Sequence, residues 1–385
     1  MPEAFADVCL GGGGRYLIFH LPKLKKLAIF DVNEAKITKY IPLTEDKVSF
    51  AAGLDALVIG LPKKGVLERW SLTTFEREAT ASPSLKEEIQ HIFMGYASNG
   101  PVVVNGAIVD LESLKSLPFT FEDGYWDAVT VLLPSGDGTV FGCQGEPSWV
   151  YVLGAGKVTR FAQGLGRHVV PGPDGSRVFT VVGVFSTALI RIDPEDAKPG
   201  YCIPAVRGNY FLSLTPAESS GKGGSLSVYM VGHQRPLAKP DIEHGVYFDG
   251  SDGEKTGVWQ RILLVPQANV IVVLPRSNDQ VVLHKFDIDA TLEKSGADYL
   301  FVASQPPRTV KAGTKLTYSM VVKAKRRPVT YRLDNGPKGM AVSSEGVVTW
   351  AVPADAAEGD QEVILTVRDA AGQEVFHTFK LRVVK

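Results

Sequence analysis

Short apolar runs separated by polar turn residues fill most of the chain and return at a regular interval. Residues 15–23 (RYLIFHLPK) and 55–63 (DALVIGLPK) are similar segments that lie forty residues apart. Runs rich in β-branched and aromatic residues, bounded by Gly, Pro, Asp and Asn, are typical of strands. Helical repeats of this period would need long segments with a 3.6-residue periodicity, and only residues 84–90 and 111–117 look briefly helical. The pattern therefore predicts an all-β chain.

Each copy continues, after the segment just described, with a second apolar segment, and this second segment marks the repeat most clearly. It contains Asp or Ser at positions 31, 71, 110, 193 and 287. The first two steps are 40 and 39 residues, and the gaps of 83 and 94 are each close to two periods. Residues 149–153 and 226–230 supply plausible units for these gaps. Because four strands in about forty residues form a propeller blade, we expect a seven-bladed β-propeller over residues 1–304, with six or eight blades as alternatives.

The period stops near Gln305, and the remaining residues predict a single series of strands. Alternation of apolar and polar residues is clear in segments 363–367 and 377–383, as in half-buried strands with one face in solvent. We therefore expect an immunoglobulin-like β-sandwich over residues 305–385. Its predicted strands are 315–322, 329–333, 346–350, 361–368 and 373–384.

Two stretches of sequence resemble known families. Segments 331–333 (YRL), 336–340 (GPKGM) and 346–353 (GVVTWAVP) resemble the immunoglobulin- or cadherin-like module of bacterial surface proteins. Segments 11–23 and 70–76 are similar to a planctomycete WD40-like propeller family, whose members often carry a cadherin-like tail in the same order. The resemblance implies an architecture and a bacterial source rather than an activity. It also implies a fragment or relative of a larger multidomain protein.

Composition and charge narrow the function classes. The formal net charge is −1, so the chain lacks the basic excess of a nucleic-acid binder. No apolar run approaches the ~20 residues of a membrane span, and three distant cysteines build no disulfide framework. The first residues do not form a signal peptide. Because the tail resembles extracytoplasmic proteins, we expect a cell-envelope location, with the targeting segment absent from this chain.

Catalytic and cofactor motifs are missing from the sequence. It has no Gly-x-Ser-x-Gly elbow and no His-Glu-x-x-His, and the glycines 11–14 precede a strand rather than a phosphate-binding helix. We therefore expect no cofactor, no resident metal and no catalysis. Two alternatives stay open: a metal-dependent hydrolase or lactonase with its metal on the propeller axis, and a carbohydrate- or cell-wall-binding surface protein using Trp126, Trp149 or Trp259.

The leading hypothesis is a non-catalytic scaffold that binds a protein or peptide. Loops between the second and third strands of a blade open on the same face as the blade-to-blade connections, and several carry lysines. Lysines would steer an acidic partner, while aromatic and Arg side chains supply interface hot spots. We expect a monomer whose binding residues are Lys23, Lys63, Tyr125, Trp126, Trp149, Arg167, His168 and Arg276.

Overall fold

The structure is a computed structural model that describes residues 1–83, 85, 88–121, 132–143, 148–154, 156–166, 168–193, 200–215, 225–242 and 257–385. Backbone contacts divide the chain into two compact units, Met1–Ile288 and Asp289–Lys385. This division lies N-terminal of the 304/305 boundary expected from the sequence. The described residues form two short α-helices, α1 (Val258–Arg261) and α2 (Ile288–Lys294), and no described helix has the length and apolarity to cross a membrane.

The described part of the first unit folds into seven small sheets, numbered here in chain order. Sheets 1 and 2 each contain four antiparallel strands: β1 (Asp7–Gly11), β2 (Tyr16–Leu21), β3 (Lys26–Asp31) and β4 (Lys36–Pro42), then β5 (Ser49–Ala52), β6 (Ala56–Leu61), β7 (Val66–Ser71) and β8 (Arg77–Ala81). Sheet 3 contains β9 (Ile92–Phe93), β10 (Val102–Val104) and β11 (Ala107–Val109).

The remaining sheets of this unit repeat the antiparallel meander with fewer or additional strands. Sheet 4 contains β12 (Thr120–Phe121), β13 (Leu132–Pro134), β14 (Val140–Cys143), β15 (Ser148–Leu153) and β16 (Lys157–Gln163), with β12 parallel to β16. Sheets 5 to 7 contain β17 (Val169–Pro171), β18 (Arg177–Thr180) and β19 (Val184–Ser186); β20 (Tyr201–Pro204), β21 (Tyr210–Thr215) and β22 (Ser225–Met230); and β23 (Ile262–Val265), β24 (Val270–Val273) and β25 (Val282–Lys285).

These sheets form a closed ring. Innermost strands of successive sheets are neighbours, in the order β1, β5, β9, β13, β17, β20 and β23. The ring closes through one apolar core in which Leu17 and Phe19 of sheet 1 pack with Leu263 and Val272 of sheet 7. The N-terminal segment adds a hydrogen bond from Phe5 N to the sheet 7 loop, at 2.8 Å. A ring of small antiparallel sheets is the architecture of a β-propeller.

Hydrogen bonds also connect the sheets around the end of the ring where the innermost strands finish, which we call the lower face. At this face, a hydrogen bond joins every pair of adjacent described sheets. The bonded residues lie in the loop between the innermost strand of a sheet and the next strand, or directly beside that loop. The bonds, 2.7–3.4 Å long, are Gly12 N to Gly53 O, Leu54 N to Ser98 O, Ala97 N to Gly136 O, Gly136 N to Gly172 O, Arg177 Nη1 to Asn209 Oδ1, Val206 N to Leu264 O, and Gln267 Nε2 to Gly13 O.

Glycine lets these loops approach one another closely. A Cβ atom at Gly95 would collide with the backbone of Gly136 and Gly138 in the next sheet, and one at Gly53 would collide with the Ser98 carbonyl. Neither clash can be relieved by a side-chain rotation, because the obstructing atoms include backbone. The lower face is therefore built from backbone contacts that a larger residue would force apart.

The repeated Asp or Ser of the sequence closes the turn that follows the third strand. Asp31 Oδ1 accepts hydrogen bonds from the backbone N–H groups two and three residues further on, at 2.9 and 3.2 Å. Ser71 Oγ does the same at 3.1 Å, and Asp110 Oδ1 accepts from Ser113 N at 2.8 Å. Such side-chain turns favour Asp, Asn and Ser, which explains why this position recurs.

Sheet 5 departs from the repeat. The sequence pattern indicated residues 189–193 as its copy of the third strand, but the third strand is β19, and Arg191 follows it in an isolated bridge to Phe185. Asp193 instead accepts a hydrogen bond from Val184 N at 3.0 Å and pairs with Arg191. The segment after β19 pairs with it through this one bridge only. Asp193 therefore does not close the turn after the third strand, as the corresponding residues of sheets 1 to 3 do.

The structure describes every residue of the second unit, 289–385, and these residues form three sheets. Strand β26 (Leu300–Val302) pairs with β29 (Val322–Ala324). A four-stranded sheet has the order β27 (Thr309–Lys311), β34 (Glu374–Val384), β33 (Gly359–Arg368), β30 (Thr330–Asn335), and a three-stranded sheet has the order β28 (Lys315–Ser319), β32 (Val347–Ala351), β31 (Ala341–Val342). Each of the five strands predicted from the sequence overlaps an observed strand, and the predicted strand 315–322 is divided between β28 and the first residue of β29.

One apolar core lies between the two larger sheets of this unit. Tyr318 and Trp350 from the three-stranded sheet pack with Leu365 and Leu381 from the four-stranded sheet. The indole Nε1 of Trp350 donates to Lys338 O at 3.2 Å, so its polar atom is satisfied at the edge of the core. The second unit therefore has an apolar interior of its own.

We predict that Gly95→Ala destabilises the first unit by about 1–3 kcal/mol, because the new methyl group overpacks a backbone contact. The measurement is the midpoint of urea unfolding followed by circular dichroism. Gly164→Ala is the matched control, since Gly164 has an ordinary φ and no atom of the described residues lies within 4 Å of the place that a Cβ would take; it should change stability by less than about 0.5 kcal/mol. Equal midpoints for the two variants would contradict the prediction.

We also predict that residues 289–385 fold as an isolated fragment, and that a fragment of residues 305–385 is less stable. The shorter fragment lacks β26, whose Leu300 packs with Ala324 and Val367. Loss of a buried Leu costs about 2–5 kcal/mol. Urea unfolding of both fragments measures the difference, and coincident curves would place the boundary of the domain after β26.

Candidate functional site

The innermost strands begin at the opposite end of the ring, which we call the upper face. Asp7 at the start of β1 pairs with His20 near the end of β2, so the loop between β2 and β3 lies at the upper face. Ser49 pairs with Gly60 in sheet 2, which places the loop between β6 and β7 at the same end. The loops that the sequence assigned to binding therefore share this face with the connections between sheets.

Polar side chains hold these loops to the connections between sheets. Glu45, in the connection from sheet 1 to sheet 2, is 4% exposed, and its carboxylate accepts from Lys63 N at 3.0 Å and Lys64 N at 3.2 Å. In sheet 3, Asn105 Oδ1 accepts from the backbone N–H groups of Gln90 and His91 at 2.9 and 3.0 Å. These interactions fix the loops of the upper face to the body of the ring.

The predicted lysines are on this face, but they differ in their partners. Lys23 and Lys25 are exposed in the loop between β2 and β3. Lys63 is also exposed, yet its Nζ pairs with Asp46 at 3.0 Å, and this hydrogen-bonded ammonium holds the pKa of Asp46 below its usual value. Lys64 Nζ donates to the Thr44 hydroxyl at 3.1 Å. Lys23 and Lys25 are thus the more available cations.

The other predicted residues are less exposed or are not described. Arg276, in the loop between β24 and β25, is half-buried. Trp149, the second residue of β15, is half-buried too, and the Arg160 guanidinium lies 5.7 Å from its ring centroid. Trp259 is likewise half-buried, so neither of these tryptophans presents a fully exposed ring. Three predicted residues lie outside the described ranges: Tyr125, Trp126 and Arg167.

His168, predicted as a binding residue, is buried rather than presented to solvent, which corrects that prediction. Its side chain is 4% exposed and contacts the rings of Tyr201 and Trp259, with centroids 5.4 and 5.8 Å away. A carbonyl oxygen can only accept, so Nε2 donates to Cys202 O, at 2.7 Å. Burial lowers the pKa of His168 to about 4, and the ring is therefore neutral near pH 7.

A cavity of about 460 Å³ occupies the centre of the ring. Residues from the innermost strand of each of the seven described sheets line it, so it lies along the axis. Most of the wall is apolar. Its strand residues include Val8, Leu10, Phe50, Ala51, Ile92, Leu132, Leu133, Val170, Ile203 and Leu263.

Tyr96 crosses the lower end of this axial cavity. Its backbone carbonyl accepts from Gly13 N of sheet 1 at 2.8 Å, and its hydroxyl donates to Val206 O of sheet 6 at 2.8 Å. Burial raises the pKa of the Tyr96 phenol, so it remains a hydrogen-bond donor throughout the physiological range. These bonds join sheets far apart in the sequence and give the axial cavity a floor.

Polar residues are concentrated towards the upper face. Ser49, Gln90 and His91 line the axial cavity there, and the last two are exposed. Gln260 in α1 also lines it, and its Nε2 donates to Val8 O at 2.9 Å. The cavity therefore has a polar rim above an apolar wall.

Trp259 is a wall residue with an unsatisfied polar atom. Its Nε1 is out of contact with solvent and has no hydrogen-bond partner among the described residues. The ring lies against Gly257, where a Cβ atom would collide with it. The sequence named Trp259 only as a carbohydrate-binding alternative, and nothing in its local pattern indicated a place on the axis.

Groups of three or more His, Cys, Asp or Glu side chains able to hold a metal ion do not occur among the residues that the structure describes. The three cysteines are free, and Cys9 lines the axial cavity. Burial raises the pKa of the thiols of Cys9 and Cys202, which keeps both protonated and poorly nucleophilic.

Comparisons with known proteins give no family. No family model matches the chain, and no curated protein matches it. Similar solved structures include hydrazine synthase of Kuenenia stuttgartiensis (TM-score 0.45, 11% identity, 75% of this chain and 97% of that chain) and the β-propeller domain of Myceliophteria thermophila Cps50 (Swd1) (TM-score 0.48, 10% identity, 74% and 98%). Kluyvelomyces marxianus Hsv2 has a TM-score of 0.42 at 12% identity, with 74% and 97% covered. These TM-scores all lie below 0.5, and the closed ring follows from the contacts within this chain.

We predict that His168 makes stability depend on pH between about 4 and 6.5. Folded His168 stays neutral in this window because burial lowers its pKa from 6.5 to about 4, whereas the unfolded chain binds a proton. The unfolded state therefore holds more protons, and the free energy of unfolding decreases as the pH falls, by on the order of 3 kcal/mol in total.

The test compares wild type with His168→Gln, whose amide can still donate to Cys202 O but does not titrate. Urea unfolding at pH 7 and pH 4.5 should show a smaller loss of stability in the variant than in the wild type. Parallel losses in the two proteins would contradict the prediction, since carboxylate titration is common to both.

Proposed function

We propose that this chain is a non-catalytic binding module, in which a seven-bladed β-propeller uses its upper face to bind an acidic protein or peptide. An immunoglobulin-like β-sandwich follows and serves as a spacer or a second adhesion surface. Each of the seven described sheets of the first unit would be one blade. We further propose that the protein is a monomer related to the planctomycete WD40-like propellers that its sequence resembles.

The observation that carries this proposal is the attachment of upper-face loops to the connections between sheets by polar side chains. Glu45 holds the backbone at Lys63 and Lys64, and Asn105 holds the corresponding loop of sheet 3. Loops fixed before binding lose little conformational entropy when a partner arrives. A rigid ring with preformed loops is suited to recognition.

Charge on the same face indicates the chemistry of the partner. Lys23 and Lys25 are exposed, and neither has an ion pair within 4 Å among the described residues. Exposed cations attract acidic surfaces over distances of about a Debye length and accelerate association. Because the net charge of the chain is only −1, this attraction is local to the loops rather than a property of the whole protein.

The test selects peptides from a random phage-displayed library on the full chain and measures their affinity by calorimetry. We expect acidic peptides, and we expect Lys23→Glu/Lys25→Glu to weaken their binding at least tenfold at low salt, with a smaller effect at high salt. Lys63 and Arg276 are left unchanged, because reversing Lys63 would place two carboxylates together at Asp46, and Arg276 is half-buried.

The matched control is Lys39→Glu/Lys115→Glu, which changes the net charge equally. Lys39 lies on the outer strand β4, and Lys115 lies in the lower-face loop after β11; both are exposed. Equal weakening by the two double variants would show that only net charge matters, and it would refute the assignment of the upper face.

A further inference from the structure

The axial cavity has the size of a small-molecule site and one closed end. Its volume is about 460 Å³, within the ~300–1,000 Å³ typical of ligand pockets. Tyr96 closes the lower end by hydrogen bonds to sheets 1 and 6. At the other end, Gln90 and His91 line the cavity and are exposed. A guest molecule would therefore enter from the upper face and stop at Tyr96.

Apolar side chains of the wall are accessible from the cavity. Four residues of different innermost strands line it and are only half-buried: Leu10, Phe93, Pro134 and Pro204. Because the ring surrounds these strands, their accessible surface lies towards the axis. An apolar cavity favours an apolar guest over water, so the part of a guest that enters the wall would be apolar.

Formal charge in the cavity is of one sign and lies at one end. Asp7 is the only Asp or Glu among the described residues that line the cavity, and none of these residues is Lys or Arg. It begins β1, at the upper face. Its negative charge also acts on the wall, because burial and then Asp7 raise the pKa of the thiol of Cys9, a second lining residue. The cavity therefore disfavours an anionic guest and favours a cation near its upper end.

We propose that the axial cavity binds a small amphipathic amine, whose apolar body packs against the wall and whose ammonium group lies at the upper end, where the Asp7 carboxylate attracts it. The polar rim that includes Ser49, Gln90 and His91 keeps this end hydrated. The site is independent of the proposed protein-binding function, because Lys23 and Lys25 do not line the cavity. Either one can fail while the other holds.

Two probes with the same apolar body separate the contribution of the wall from that of the charge. 1-Naphthylmethylamine carries an ammonium group at pH 7, and 1-naphthylmethanol carries a neutral hydroxyl group in its place. Calorimetric titration of the full-length chain should show saturable binding of about one amine per chain and a weaker affinity for the alcohol. Leu10→Trp should weaken the binding of both probes at least tenfold, because the larger indole occupies part of the cavity.

Asp7→Asn tests the charge and keeps a hydrogen-bond acceptor. Asp7 Oδ1 accepts from Val8 N at 2.7 Å, and the amide oxygen of Asn can replace it. Loss of one partly exposed charge interaction corresponds to about a three- to tenfold weaker affinity for the amine, and the affinity for the alcohol should not change. Glu76→Gln is the matched control, since Glu76 is exposed and does not line the cavity; it should bind both probes like the wild type.

Three outcomes would overturn the proposal. The first is no saturable binding of the amine to the wild type. The second is equal affinities of Asp7→Asn and Glu76→Gln for the amine, which would show that the carboxylate at the upper end has no part in binding. The third is unchanged binding in folded Leu10→Trp, which would place the probes on the outer surface. If Leu10→Trp does not fold, the two carboxylate variants decide the question.

Discussion

Closure of the ring is the constraint on which the rest of the first unit depends. No single described sheet has enough strands to cover both of its faces, so each needs a neighbour on either side. The lower face meets this need with hydrogen bonds between every adjacent pair of described sheets, and sheet 7 returns to sheet 1 through the core around Phe19 and Val272. Because the circle is complete, the innermost strands cannot move inward, and a cavity persists along the axis. Tyr96 then separates that cavity from the lower surface.

The two faces of the ring consequently have different properties. At the lower face, backbone lies so close to backbone that Gly53 and Gly95 have no space for a methyl group. At the upper face, the loops extend outward and are held from below by Glu45 and Asn105, which leaves their side chains in solvent. Side chains at the upper face can therefore vary without disturbing the bonds that close the circle. The second unit has an apolar core of its own around Trp350.

Local chemistry that repeats was readable in the sequence, and long-range geometry was not. The side-chain turn made by Asp31 recurs at Ser71 and Asp110, and this recurrence revealed both the period and the third strand of most sheets. The third strand of sheet 5 was not predicted correctly, because the segment that follows it pairs through a single bridge at Arg191. The burial of His168 depends on one bond to Cys202 and on the ring of Trp259, which are 34 and 91 residues away. Likewise, the axial cavity combines residues from Val8 to Leu263 that share no motif.

Closure of the ring between sheets 1 and 7, which includes the bond from Phe5 N to Asn278 O, has a consequence for the order of folding during synthesis. Sheet 1 leaves the ribosome before sheet 7, and the apolar side chains of β23 and β24 with which Leu17 and Phe19 pack are made some 250 residues later. At elongation rates of about 5–20 residues per second, this face of sheet 1 stays uncovered for roughly ten seconds or more. The nascent chain is thus exposed to aggregation and to chaperones throughout that interval, and only arrival of the last sheet ends it.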